Sequence, residues 1–228
     1  MPKLLDIVMT NRMPSAQHFY VFQQPAVFAT DAPVMATCLF SSELGSLFDT
    51  GAVLVCQIQA QIYLSMQVGK PGSGGPSFSR RMLSADAGSN PNNAVEVNIL
   101  PMGLKMPYHD PSVLPGCFRI LLPDASTPDI GLPDISPDQA LFIGQGQGID
   151  PFGSPILSSF VMAQGMRQIE CKPSQRFYVR AGGPRRMPGD VIDFDAEVGA
   201  AAECDFSAGA RSARVDLEPD GRWTTRME

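Results

Sequence analysis

The sequence has little charge and no motif that binds a common cofactor. Charged residues make up 18% of the chain, against about 25% in an average domain. Low charge together with 44% hydrophobic residues is the opposite of the balance that keeps a chain disordered. The net charge is −6, whereas binding to nucleic acid or to anionic membranes needs clustered Lys and Arg. We therefore expect a folded domain that binds neither nucleic acid nor membrane.

Cysteines are few, and histidines are fewer. The five cysteines are odd in number and form no CxxC pair, a pattern that favours reduced thiols over a disulfide framework or a zinc site. The two histidines have no carboxylate at metal-ligand spacing. No run approaches the roughly 20 apolar residues of a membrane span, and residues 1–11 lack the pattern of a signal peptide. We expect a cytoplasmic protein with no metal and no cofactor.

Glycine and proline are abundant, with 21 of each. Their share lies well above the usual value of about 12%, which predicts many turns and few long helices. Several short segments between these residues have the composition and alternation of strands. The sequence predicts a single all-β domain over residues 1–228. The expected architecture is an antiparallel two-sheet sandwich or jelly roll, with long Pro/Gly-rich loops at about 69–93 and 123–155.

The predicted strands follow from alternation of apolar and polar residues and from turn signals on either side. They cover residues 18–24, 34–40, 53–68, 94–100, 117–122, 156–163, 175–181, 191–198, 213–217 and 222–225. A short helix is predicted over 41–48, where a serine can cap its first turn.

The clearest alternation lies in residues 53–68. Apolar side chains occupy the even positions, and mostly uncharged polar ones occupy the odd positions. A period of two predicts a strand, with its even positions in a core. Sixteen residues at about 3.3 Å each make an unusually long strand. We therefore expect a bulge or a bend where this segment passes between sheets.

The odd positions of this segment form an uncharged polar face. Solvated sheet faces normally carry Lys, Glu or Thr, which keep a sheet soluble. Amides and a tyrosine without charge predict contact with a neutral hydroxylated ligand or with a protein surface. In the alternative, the same face lies under loops of this chain and bonds to their backbone. The predicted ligand-binding residues are Gln57, Gln59, Gln61, Tyr63 and Gln67.

Three further patterns contain residues with the potential for chemistry. His109 and Asp110 are adjacent in a proline-rich segment, so a carboxylate could raise the basicity of a catalytic histidine; the alternative is an exposed loop histidine. Asp193, Asp195 and Glu197 alternate along a predicted strand, where pairing with arginines is favoured over a cation site. The glycine-rich run at 144–148 is not followed by a helix start, as a phosphate-binding loop requires.

Charge is unevenly distributed along the chain. Residues 13–69 contain no Lys or Arg, while residues 169–228 hold 20 charged side chains. Interface centres are poor in charge and rich in aromatics, so the first region predicts a homodimer contact.

Three functions stay open on these grounds. The first is a non-enzymatic binding or self-assembling β-sandwich module with an uncharged Gln/Tyr-rich sheet face. The second is a cofactor-independent enzyme, of the isomerase or cyclase type, in which His109 or Asp110 moves a proton in a loop-covered pocket. The third is a lectin-like binder of neutral sugars.

Overall fold

The fold is an all-β architecture of packed, largely antiparallel sheets, as the sequence predicted. The computed structural model describes residues 3–69, 75–83, 91–99, 101–123, 140–150, 155–163 and 166–228. Within these residues the strands form three sheets, and the two helices are single short turns, α1 (Leu47–Thr50) and α2 (Phe194–Val198).

Two five-stranded sheets lie at the outside. Sheet I contains, in spatial order, β12 (Ile149–Asp150), β5 (Leu54–Gln59), β1 (Leu4–Asn11), β18 (Ser212–Leu217) and β19 (Trp223–Met227). Sheet II contains β3 (Val27–Phe28), β14 (Gln168–Lys172), β10 (Phe118–Leu121), β8 (Ala94–Ile99) and β9 (Met102–Leu104). Each of them has one parallel pair among its antiparallel ones, β1 with β18 and β10 with β8.

A third, nine-stranded sheet packs against both of the others, and we call it the shared sheet. Its strands are, in order, β17 (Ala202–Asp205), β15 (Arg176–Ala181), β2 (Gln17–Gln23), β4 (Met35–Leu44), β13 (Ile156–Met162), β11 (Leu141–Gln147), β6 (Ile62–Val68) and β7 (Ser77–Met82), with β16 (Val191–Ile192) pairing beside β4.

Two apolar cores result from this arrangement. The first core lies between sheet I and the β17–β4 part of the shared sheet, and includes Ile7, Ile58 and Phe177. The second lies between sheet II and the β13–β7 part, and includes Leu64 and Ile143. The shared sheet therefore contributes strands to two adjacent hydrophobic interiors.

The bend predicted within residues 53–68 is confirmed. β5 ends at Gln59 in sheet I, and β6 begins at Ile62 in the shared sheet. The neighbouring strands make the same crossing, since β11 continues into β12 after Gly148. The two pairs form one ribbon that joins both cores.

The predicted register of this segment is also confirmed. Cys56, Ile58, Leu64 and Met66 are buried, while Val53 and Val55 are exposed. Two even positions expected in the core, Leu54 and Ile62, are only partly buried and pack at its margin.

Parts of the two predicted loops are strands. β7 lies within the loop expected at 69–93, and β11 and β12 lie within the loop expected at 123–155. The remaining residues of those loops, apart from short described flanks, lie outside the described residues. β11 was missed because its glycines and glutamines have low strand propensity. Here they occupy a buried strand hydrogen-bonded on both edges.

Two local predictions were wrong. The first half of the helix predicted over 41–48 is strand, because β4 runs to Leu44, and only α1 is helical. The strand predicted over 191–198 ends at Ile192. Asp193 then caps α2 by accepting a hydrogen bond from Ala196 N, and an aspartate at this position favours a helix start. The three carboxylates therefore do not share one strand face.

Candidate functional site

The predicted Gln/Tyr face is divided by the bend. Gln57 lies on the outer surface of sheet I, where its Nε2 donates to Asp6 Oδ1 over 3.1 Å. Tyr63 and Gln67 lie on β6, in the shared sheet. The five predicted ligand-binding residues therefore do not form one continuous surface.

Three of these residues meet at the bend, and we call them the amide cluster: Gln59, Gln61 and Tyr63. The Tyr63 hydroxyl is 3.0 Å from Gln59 Oε1 and 3.1 Å from Gln61 Oε1. A phenol carries one proton, so it donates to one of these oxygens at a time. Gln147 Nε2 donates to the main-chain oxygen of Gln59. The three side chains therefore bond to one another, and the partner of the Gln59 main-chain oxygen is a strand residue of β11.

Exposed apolar side chains lie at the start of β5 and on α1, which precedes it in the chain. Phe48, Val53 and Val55 are 74%, 49% and 46% exposed, and we call them the β5 patch. Phe48 stands on α1, a single turn whose own residues are not buried and which ends at Gly51 with φ 65°. Val55 lies opposite Val8 of β1, which extends the apolar surface across sheet I. Large apolar side chains grouped on a surface mark contact sites.

His109 and Asp110 are placed differently from a catalytic pair. The Asp110 carboxylate accepts hydrogen bonds from Ser112 N and Oγ, and from Arg119 at 2.6 Å. These Ser112 bonds, followed by the Arg119 charge and hydrogen bond, hold the pKa of Asp110 below its usual range. His109 is exposed and has no side-chain partner within the described ranges.

A half-buried ion cluster lies on the opposite surface of the shared sheet from the first core. Glu197 accepts a hydrogen bond from the Tyr20 hydroxyl at 2.8 Å and one from Arg186 at 3.2 Å, and Arg180 is 3.5 Å away. Burial opposes ionisation of Glu197, but these hydrogen bonds and the two arginine charges keep its pKa below the usual range. Tyr20 is fully buried, and its pKa is raised by that burial and by Glu197. This cluster fixes α2 to the sheet.

Replacing Glu197 with Gln should lower the free energy of unfolding by about 2–3 kcal/mol at pH 7. Two partly buried guanidinium groups and a buried hydroxyl lose their charged acceptor. Because folding lowers the pKa of Glu197, its contribution is present above the unfolded-state pKa and is lost as the pH falls through the folded-state pKa. Urea unfolding at pH 7 and near pH 3 measures this, and the gap between wild type and variant should shrink at the lower pH.

The matched control is Glu203→Gln. Glu203 is half exposed and has only long contacts, 3.4 Å from the Tyr178 hydroxyl and 3.9 Å from Arg176. Its loss should change stability by less than about 0.5 kcal/mol. Equal losses in the two variants would contradict the role given to Glu197.

The five cysteines are free thiols, and four of them are buried. Burial raises the pKa of Cys38, Cys171 and Cys204 to about 12 in each case. A nucleophilic cysteine needs a lowered pKa, so these thiols contribute to packing.

Among the residues that the structure describes, no group of three or more His, Cys, Asp or Glu side chains is placed to hold a metal ion. No helix among them is long and apolar enough to cross a membrane.

A groove of about 340 Å³ opens between β7 and the β8–β9 hairpin. The sequence did not predict this groove, because its two walls are edges of different sheets and no local sequence pattern shows that they lie close together. Its lining consists of Phe78, Ser79, Arg80, Asn98, Pro101, Met102, Gly103, Leu104 and Lys105.

The chain matches no protein-family model, no curated protein and no solved structure.

Proposed function

We propose that the protein is a non-enzymatic binding module that self-associates as a homodimer through the β5 patch. The observation that carries the proposal is the exposure of three large apolar side chains that are close together in the sequence, Phe48, Val53 and Val55. All three fall in residues 13–69, which contain no Lys or Arg.

The surroundings of the patch support this assignment. Interface centres are depleted of charge, and their rims are polar. Gln57, on the same strand as Val55, supplies a neutral polar neighbour, while Asp6 and Arg214 lie on the adjoining strands. A two-fold axis through the patch would bury the same apolar residues of both copies, which is the commonest way to form a closed assembly.

Light scattering at micromolar concentration tests the dimer. Wild type should have twice the 24.5 kDa mass of the chain. The double variant Phe48→Asp, Val55→Asp should be monomeric, because each copy would place two unpaired carboxylates in an apolar contact. Leu114→Asp is the matched control. Leu114 is 66% exposed but precedes β10 in sheet II, so its variant should stay dimeric. A monomeric wild type, or a dimer unaffected by the double change, would contradict the proposal.

The enzyme and sugar-binding hypotheses have less support. Asp110 bonds to Ser112 and Arg119, and the amide cluster bonds largely to itself. Both remain hypotheses. A cytoplasmic location is part of the proposal, because five free thiols suit a reducing compartment.

A further inference from the structure

We propose that the groove between β7 and β9 binds an extended acidic peptide, which adds as a strand to the free edge of β7. This site lies on elements other than those of the β5 patch, so the inference does not depend on the homodimer.

The outer edge of β7 presents unpaired main-chain groups. Val68 N donates to Pro76 O, and this bond sets the alternation along the β6–β7 ladder. It follows that Phe78, Arg80 and Met82 turn their main-chain groups toward β6. Ser77 and Ser79 turn theirs outward, where no strand of the described residues pairs with them.

The same edge accepts an extended segment at Leu83, beyond Arg81, and that segment then enters β8. Leu83 and Asn92 exchange both main-chain hydrogen bonds, at 3.3 Å and 3.0 Å. Continuing that pairing toward Ser79 and Ser77 is the geometry of strand addition, in which main-chain hydrogen bonds give affinity and alternate side chains give specificity.

β9 forms the opposite wall of the groove. Lys105 N donates to Glu96 O, so Leu104 and Met102 turn their main-chain groups away from β8 and toward β7. Arg80 Nε spans the gap and donates to Leu104 O at 3.0 Å and to Lys105 O at 3.2 Å. One side chain therefore connects two strand edges that do not pair with each other.

The charge of the groove lining favours an acidic peptide. Two residues of the groove lining, Arg80 and Lys105, are basic, and none of the lining is acidic, on a chain whose net charge is −6. Glu96 pairs with Lys105, whereas the terminal nitrogens of Arg80 have no side-chain partner in the described ranges. A carboxylate of the bound strand can accept from them. Phe78, Met102 and Leu104 offer apolar contacts, so the fitting peptide alternates apolar and acidic residues, as a strand with a period of two does.

Fluorescence anisotropy tests the proposal with labelled heptapeptides and the full chain. The first peptide alternates Val and Glu, the second alternates Val and Lys, and the third is the first with alternate amides N-methylated. The Val–Glu peptide should bind at least about tenfold more tightly than the other two, because a charged hydrogen bond or the ladder is lost in each of them. No binding of the Val–Glu peptide at millimolar concentration would overturn the proposal.

Matched variants locate the site. Arg80→Glu should weaken binding of the Val–Glu peptide by about tenfold or more. Arg81 is the next residue of the same edge strand and is also exposed. Arg81→Glu should change the affinity for this peptide by less than about twofold, because the Arg81 side chain points to the opposite face of the sheet. Ser77→Pro removes an outward N–H at the first residue of β7, where proline is tolerated, and should also weaken binding. Equal effects at Arg80 and Arg81, or tight binding of the methylated or Val–Lys peptide, would overturn the proposal.

Discussion

Gly144→Ala should lower the free energy of unfolding by about 3 kcal/mol or more. A Cβ at this position would lie 2.0 Å from Ser159 O and 2.7 Å from the Cα of Phe160. Both atoms belong to the backbone of the neighbouring strand β13 and cannot rotate away. Relief would require β11 and β13 to move apart near the bulge in their pairing between Gln145 and Gly146. Chemical denaturation of the purified variant measures the loss.

Gly146→Ala is the matched control, two residues along the same strand. Its Cβ would meet Ser65 Oγ at 1.9 Å and Ser65 Cβ at 3.0 Å. The hydroxyl can rotate to another rotamer, and the Cβ contact needs only a small shift. The cost is the 2.7 Å contact between Ser65 and Ser79, worth about 1 kcal/mol. Equal destabilisation by the two alanines would show that the backbone contact at Gly144 does not set the spacing of these strands.

Ile58→Ala should cost about 2–5 kcal/mol, through the lost transfer energy and the cavity that remains. Ile58 is completely buried in the first core. Leu64→Ala should cost a similar amount, because Leu64 is just as buried in the second core. Urea unfolding followed by intrinsic fluorescence and by circular dichroism measures both changes.

Met162→Ala provides the comparison, since Met162 ends a strand and is 40% exposed. Its truncation should stay within about 0.5 kcal/mol of wild type. If Ile58→Ala were no more harmful than Met162→Ala, the register of the 53–68 segment would have to be reassigned.

The register could be predicted because alternation is a local property with a fixed period. Apolar residues at even positions from 54 to 68 determine which surface of β5 and β6 faces a core. The length of the segment predicted the bend as well. Alternation does not show which sheet each half of the segment joins. It therefore could not predict that Ile58 and Leu64 lie in different cores.

Other elements depend on residues far apart in the chain. Tyr20 and Glu197 are separated by 177 positions, and no local pattern links them. The same holds for Asp110, which bonds to Arg119 rather than to the adjacent His109. Around 193, helix and strand both fit the short alternating sequence, and the capping bond of Asp193 to Ala196 N decides for the helix.

The candidate sites were predicted less well than the fold. The absence of basic residues in 13–69 pointed to the region that holds the β5 patch. The polar positions Gln57, Gln59 and Gln61 were expected to act together, yet the bend separates Gln57 from Tyr63 and Gln67. These residues are close in the sequence, but closeness in the sequence did not place them on one surface.

The parallel pairing of β1 with β18 has a consequence for synthesis on the ribosome. β1 can pair with β5 soon after both emerge, but its other edge meets Ser212–Leu217, which emerges some 200 residues later. At roughly 5–20 residues per second, that edge waits about 10–40 seconds for its partner. An open strand edge recruits other chains. A nascent chain of this protein should therefore depend on chaperone protection until β18 has emerged and paired with β1.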